Sequence, residues 1–323
     1  MTTFQHPPLA DADRPAAPAG RTGRTRRSSR RRREALTAYG FLAPWLIGLL
    51  GITLGPMLVS LYLSFTDYDL LSPPRWVGLA NFHRMFTADP RFWRSVGVTA
   101  EYVLISVPLV LVVSFLLALV LNKGIRLLGA YRTLFYLPSL IGSSVAIAIL
   151  WRQVFGEGGL VNRALALLGV HHGGWVGDPA TSLYTIIALN LWAFGATMII
   201  FLAGLRQIPQ ELTEAAAVDG AGPLRRLWHI TLPQLSPLIF FNALLSTVHA
   251  FQAFTGAYVV SGGNGGPSDS LLFYTLYLYQ KGFVDFQMGY ASAMAWLLLV
   301  VLGLFTATAF LTSRYWVHYG DAR

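Results

Sequence analysis

The stretch Ile208-Pro-Gln-Glu-Leu-Thr-Glu214-Ala-Ala-Ala-Val-Asp219-Gly220-Ala-Gly-Pro223-Leu-Arg-Arg-Leu-Trp228-His-Ile230-Thr-Leu232-Pro233 lies between two long apolar segments, and its reading decides the rest. Its punctuation spells helix, glycine turn, helix. Pro209 suits a first helical position, and Glu211 and Glu214 complement the positive end of the helix dipole. Gly220 can take the left-handed conformation that ends a helix. Pro223 can open a second helix, with Leu224, Leu227 and Trp228 on one face. Ala215, Ala216 and Ala217 offer a low-relief surface. Two readings stay open from the residues alone: a docking surface for another protein, or an amphipathic connector lying on a membrane.

The apolar segments on either side span about 181–205 and 232–260. Further out lie 41–65, 101–121, 133–151 and 288–312, each close to the roughly 20 apolar residues that cross a bilayer as a helix. Six spans follow, and the chain reads as an all-α polytopic membrane protein. Composition agrees: 54% of the 323 residues are hydrophobic and only 12% charged, with a mean hydropathy of +0.52. A soluble domain of this length needs less apolar material, so the surplus faces lipid. Two shorter apolar segments, 160–170 and 271–279, are too short or too interrupted to cross. They read as interfacial or outer-face helices, with Tyr274, Tyr277 and Tyr279 suited to headgroup depth.

The net charge of +9 is concentrated in the first 33 residues, at Arg14, Arg21, Arg24, Arg26, Arg27 and the run Arg30-Arg-Arg-Arg33. Residues 1–37 read as a disordered basic tail, too poor in large apolar groups to fold. A signal-peptide or twin-arginine reading fits less well, because the apolar stretch behind it is long and no small-residue cleavage site follows. With no soluble domain to accompany it, the tail is not read as a nucleic-acid binder. It reads as an anchor that keeps the first span's N-terminus in the cytoplasm and touches anionic lipid. The same side then holds Lys123, Arg126, Arg132, Arg206, Arg225, Arg226, Arg314 and Arg323. Both termini are cytoplasmic, 38–314 forms the six-span membrane body, and 315–323 is a short tail.

Chemistry-bearing residues are few. The chain has no cysteine, so disulfides and thiolate metal sites are excluded. His171 and His172 lack further ligands nearby and read as solvated, with no metal site. Lys123 and Lys281 are the only lysines, preceded by Asn122 and Gln280, so no Walker A motif exists and ATP hydrolysis needs another chain. On the fifth span Asn242, Ser246, His249 and Gln252 recur at helical spacing, near Phe251, Phe254 and Tyr258. They are candidates to line a solute pathway, or else to bond between helices. Asn190 and Trp192 on the fourth span are further candidates. No nucleophile–base pair marks an intramembrane enzyme, and no mid-membrane carboxylate marks an ion-coupled secondary transporter.

The string Glu214-Ala215-Ala216, Asp219-Gly220-Ala221 and Ile230-x-Leu232-Pro233 resembles the EAA loop of ABC-importer permeases. Other stretches are similar to the sugar-permease branch that includes maltose, lactose and glycerol-phosphate permeases. They are Trp76-Val-Gly-Leu-Ala-Asn81-Phe82, Arg132-Thr-Leu-Phe-Tyr-Leu-Pro138, Leu202-Ala-Gly-Leu-Arg-Gln-Ile-Pro209, Gly262-Gly-Asn-Gly-Gly-Pro267 and Met288-Gly-Tyr-Ala-Ser-Ala293. The resemblance covers about 38–312. It implies the type I ABC-importer permease fold and a carbohydrate as solute, with glycerol-3-phosphate or another polyol behind it. It further implies a coupling helix seated in a partner ATPase dimer that uses ATP and Mg, with no cofactor bound by this chain. The other implied partners are a second permease subunit, an extracytoplasmic solute-binding protein and membrane lipid, in the cytoplasmic membrane of a prokaryote.

Overall fold

Backbone amides in a bilayer must bond within their own segment, so apolar runs of this length can only be helices. In the computed structural model, which describes residues 38–124, 128–142, 144–169 and 173–318, they are. The basic tail, Arg126, the His171–His172 pair and residues 319–323 lie outside the described residues. The described chain divides into two compact units between Val59 and Ser60.

Helix α1 (Ala38–Ser64) is apolar throughout, and Phe41 and Ile52 are exposed. Its hydrogen-bond ladder widens over Gly48–Leu54, where the Gly55 N–H reaches back five residues to the Leu50 carbonyl. Pro56 follows directly, and its ring displaces the regular ladder of the preceding turn. Strands β1 (Thr66–Asp67) and β2 (Arg75–Trp76) pair antiparallel, Thr66 opposite Trp76. The Asn81 amide on α2 (Ala80–Thr87) donates to the carbonyls of Ser64 and Thr66, both at 2.9 Å, and locks this small hairpin.

Helix α3 (Pro90–Asn122) starts eleven residues before the apolar window that begins at 101. Asp89 caps it by accepting the Phe92 N–H at 3.1 Å, and Pro90 fills its first turn. The early turns are amphipathic: Phe92, Ser95 and Val98 are buried while Arg91 and Arg94 are exposed. At 1.5 Å per residue the helix is about 50 Å long, well beyond the roughly 30 Å hydrocarbon layer. A hydropathy window sees only the part inside lipid.

The third and fourth apolar segments are each broken. Helix α4 (Leu128–Ile141) and α5 (Val145–Val154) meet at 100°. Ser144 caps the new helix by accepting the Ile147 N–H at 3.3 Å. Helices α6 (Leu160–Ala166), α7 (Ser182–Trp192) and α8 (Gly195–Gln207) follow, the last two bent by 45°. The bend sits where Gly195 presses on the Phe135 carbonyl of α4, a contact a Cβ would block. Counting each bent pair once, six segments are long and apolar enough to cross a membrane: four single helices and two broken ones.

Helix α9 (Gln210–Val218) leads through a turn to α10 (Pro223–Arg226), which continues through a widened turn at Leu227–Thr231 into α11 (Leu232–Phe251). After a break at 252–254 come α12 (Thr255–Ser261), α13 (Tyr274–Tyr279) and α14 (Met288–Ser313). The segment 271–279 is packed within the protein rather than laid against headgroups. Leu271, Leu272, Phe273, Tyr274, Leu276 and Tyr277 are all buried in the protein. Their polar atoms explain why a tyrosine-rich segment tolerates burial. The Tyr274 hydroxyl donates to the Met294 carbonyl at 2.7 Å, and its N–H donates to Thr99 Oγ1 at 2.8 Å.

Candidate functional site

The stretch 208–233 folds as helix, turn, helix. Pro209 stands one position ahead of α9 as its cap rather than inside it. At the other end Gly220 has φ +76°. The Ala221 N–H donates to the Ala216 carbonyl at 2.9 Å and the Gly220 N–H to the Ala217 carbonyl at 3.1 Å. These paired bonds are the Schellman closure, and they satisfy carbonyls that a helix end otherwise leaves bare.

What the loop presents is unusual for a hinge. Val218, Leu224 and Trp228 are 88%, 71% and 64% exposed. Glu214, Ala215, Asp219 and Gly220 are exposed as well, and Ala216 and Ala221 half-buried. Ile230, Leu232 and Pro233 turn inward to half-buried positions where the loop enters α11. A cavity of about 340 Å³ separates Gln210 and Thr213 of α9 from Leu119 and Asn122 at the end of α3. The loop therefore lies at the Asn122 end of the bundle. Exposed apolar side chains beside arginines suit either a partner protein or a membrane border.

Midway along the bundle two adjoining cavities, about 280 and 230 Å³, share Tyr102, Asn190, Ala193 and Ala253 in their walls. The first adds Ser144, Phe254 and Thr255; the second adds Thr197, Ser246 and His249. Among the pathway candidates, Asn190, Ser246 and His249 thus come together. Asn242, Gln252 and Trp192 do not. Asn242 is buried, and its amide donates to the Leu238 carbonyl one turn back at 2.8 Å. Gln252 is exposed and sits beyond the last turn of α11, so the helical stripe stops before it. Trp192 packs 6.1 Å from the Trp151 ring.

Sequence reading missed Tyr102, Ser144 and Thr197. Ser144 carried a signal, since a serine behind Pro138 and Gly142 can restart a helix. Tyr102 and Thr197 carried none. No Lys, Arg, Asp or Glu lines either cavity. From the first cavity a row of rings leads away: Phe254 to Tyr258 at 5.2 Å, Tyr258 to Tyr279 at 5.5 Å, and Tyr279 to Phe283 at 5.3 Å.

The end of the bundle opposite the loop is tied by charge. Asp89 accepts from the hydroxyls of Tyr277 and Tyr290, both at 2.6 Å, besides capping α3. Burial pushes its carboxyl upward, but the two phenols, the Phe92 N–H and the Lys281 charge outweigh burial and hold it below the ordinary 3.8. Arg91 grips Asp269 with two bonds of 2.8 and 2.7 Å.

Residues 85–315 match the family described as "Binding-protein-dependent transport system inner membrane component". Over 289 residues the chain is 51% identical to "Probable ABC transporter permease protein YesP" of Bacillus subtilis (strain 168), covering 89% of this chain and 94% of that protein. The "Lactose transport system permease protein LacF" of Rhizobium radiobacter is 31% identical over 290 residues, covering 88% and 96%. The "Arabinooligosaccharides transport system permease protein AraP" of Bacillus subtilis (strain 168) is 32% identical over 268 residues, covering 82% and 84%. Among solved structures, a chain of a bacterial ABC transporter involved in the import of the acidic polysaccharide alginate superposes with a TM-score of 0.75. It is 24% identical and covers 89% of this chain and 98% of its own, a likeness of fold.

Proposed function

The chain belongs to the inner membrane components of binding-protein-dependent transport systems, and from that premise we propose that it carries a neutral carbohydrate, driven by an ATPase seated on 208–233. It is a helical, multi-pass permease subunit of an ABC importer. The solute class is the first part of the reading. LacF and AraP are named for lactose and arabinooligosaccharides, and the cavities here offer what sugars need. Asn190, Ser246 and His249 supply hydrogen-bonding groups, and Tyr102 and Phe254 supply aromatic faces. A wall without Lys or Arg favours an uncharged sugar over glycerol-3-phosphate, whose phosphate calls for a cation. The wall holds no carboxylate to bind a coupling ion, and His249 is its one imidazole.

Coupling is the second part, and one observation carries it: the exposed Val218, Leu224 and Trp228 flank the Gly220 turn on a loop that no other described residue covers. An ATP-binding-cassette dimer holding ATP and Mg fits that surface. Glu214, Ala215, Ala216, Asp219, Gly220 and Ala221 form the docking helix and turn, while Ile230, Leu232 and Pro233 join them to the span. This end faces the cytoplasm, with Lys123, Arg132, Arg206, Arg225 and Arg226 on its side, and both termini lie there. The opposite face receives the solute-binding protein. A second permease subunit completes the pathway, since one six-span chain does not enclose a sugar.

The test is Val218→Glu and Gly220→Val in the assembled transporter, with the ATPase subunit captured through a tag on the permease. Both variants reach normal membrane levels, lose the ATPase on capture, and take up labelled sugar more than about tenfold more slowly, the effect of about 1.4 kcal/mol at the interface. Normal capture together with normal uptake overturns the coupling reading.

A further inference from the structure

The row of rings that leaves the first cavity continues beyond both sites, and two helices build it by the same spacing. Phe254, the cap residue of α12, and Tyr258 are four residues apart, as are Tyr279 and Phe283 at the end of α13, so each pair shares a helix face. Phe254 stacks on Tyr258 with 27° between the planes, and Tyr279 stacks on Phe283 at the same angle. The two pairs meet at Tyr279, whose ring stands 5.4 Å from Phe254 and 5.5 Å from Tyr258.

We propose that these rings are an entry track for an oligosaccharide, on which successive sugar units stack between the outer face and the cavity. The proposal rests on the carbohydrate reading above and extends it to chain length. Continuity is the first argument. Phe254 is both the first ring of the row and part of the cavity wall that holds Tyr102 and Asn190. Direction is the second. Tyr274 bonds Thr99, well inside α3, whereas Tyr277 bonds Asp89 at the cap of that helix. Helix α13 therefore climbs toward the Asp89 end, and Tyr279 and Phe283 continue the climb. The row joins the cavity to the end assigned to the solute-binding protein.

Fit to the ligand is the third argument. Tyr258 is 36% and Phe283 60% exposed, whereas rings that serve only to glue two helices bury their faces. The apolar C–H face of a sugar ring packs on such an open aromatic face. Neighbouring centres stand 5.2 to 5.5 Å apart, which matches the rise of one pyranose unit along a chain. A neighbour in the sugar chain thus meets a neighbour in the row. Lys281, the one charge between Tyr279 and Phe283, turns instead to Asp285 and to the Tyr277 ring.

The test uses the whole transporter with its binding protein in proteoliposomes, offered labelled mono-, di- and trisaccharides of glucose, galactose and arabinose. The parent takes up di- or trisaccharide, and Tyr279→Ala and Phe283→Ala each slow that uptake about fivefold, the weight of one ring contact. The loss is steeper for the longer sugar, Phe283→Tyr restores it, and the Tm stays at the parent value. Equal losses at every chain length, or none, overturn the proposal, and so does a parent that takes up monosaccharides alone. A parent that takes up no sugar of the panel overturns the carbohydrate reading itself. Because the chain has no cysteine, Phe283→Cys is its single thiol. A membrane-impermeant maleimide labels it from outside, and the trisaccharide protects it. Labelling by a lipid-soluble maleimide alone places the ring against lipid and overturns the track. A thiol closed to both reagents is covered by the second permease and overturns it as well.

Discussion

The two ends of the bundle are built on opposite rules. At the Asp89 end, polar groups are spent on each other: one carboxylate takes three donors, Arg91 holds Asp269, and Ser182 meets Ser270 at 2.7 Å. At the Asn122 end, 208–233 keeps its bonds local and shows apolar side chains to the outside. One end satisfies its polar groups within the chain, and the other leaves apolar side chains uncovered. Damage at the first therefore appears as lost stability, and damage at the second as lost assembly.

The largest effect expected is at Gly289, where a Cβ would run into the Thr66 carbonyl and neighbouring backbone. Neither side is a flexible side-chain tip, so Gly289→Ala costs about 3 kcal/mol. That lowers the Tm of the solubilised transporter by roughly 6–12 °C. A Tm within 2 °C of the parent, roughly the shift of half a kcal/mol, refutes the close-packed picture of this end.

Next comes Asp89→Asn. It weakens a helix cap and two phenol bonds and costs about 2 kcal/mol at neutral pH. The sign of its pH dependence is fixed. A carboxyl held below 3.8 in the fold contributes stability above that value and loses it as pH falls through the lower, folded value. The Tm gap between parent and variant is thus full at pH 7 and narrows only below about pH 4. A gap that closes between pH 5 and 7 contradicts the assignment.

A smaller change sharpens the contrast from the other end. Gly220→Ala places a side chain at φ +76° and costs about 1 kcal/mol locally. Nothing lies within 4 Å of its Cβ, so the cost is backbone strain alone and the Tm falls by only about 2–4 °C while ATPase retention falls. Equal retention by parent and variant separates the turn from docking. The smallest effect is Arg91→Lys, which swaps a bidentate, half-exposed pair for a single bond and shifts stability by less than about 1 kcal/mol. A shift of several kcal/mol there means that the pair is buried by a partner in the assembly.

Much of this was legible in the residues, because bilayers reduce the choice of backbone to helices and loops are punctuated by proline and glycine. The turn at Gly220 and the start at Pro223 were read this way. Breaks were harder. Pro138, Gly142 and Ser144 mark the bend between α4 and α5, yet hydropathy averages across them. Gly195 breaks the next span because of the Phe135 backbone beside it, a neighbour sixty residues away that no local pattern names. Only half of the stripe on the fifth span lines the cavity, for a related reason. Periodicity put Asn242 and Gln252 in line with Ser246 and His249, but α11 ends at Phe251, and Asn242 satisfies itself on its own helix. Tyr274 and Tyr277 misled because aromatic hydroxyls suit a headgroup border as well as a buried bond, and only the position of Met294 and Asp89 decides.

The continuity from Pro223 to Phe251 has a mechanical meaning. The widened turn at Leu227–Thr231 alters the ladder without ending it, so the exposed arm and the wall of the cavity are one rod of about 43 Å. A tilt of about 5° at its Pro223 end swings its far end through roughly 4 Å, comparable to one helical turn. Ser246 and His249 sit near that far end, just short of the break at 252–254. A nudge at the surface therefore reaches the cavity along one continuous helix, past the packing of α11 on α3 and α8.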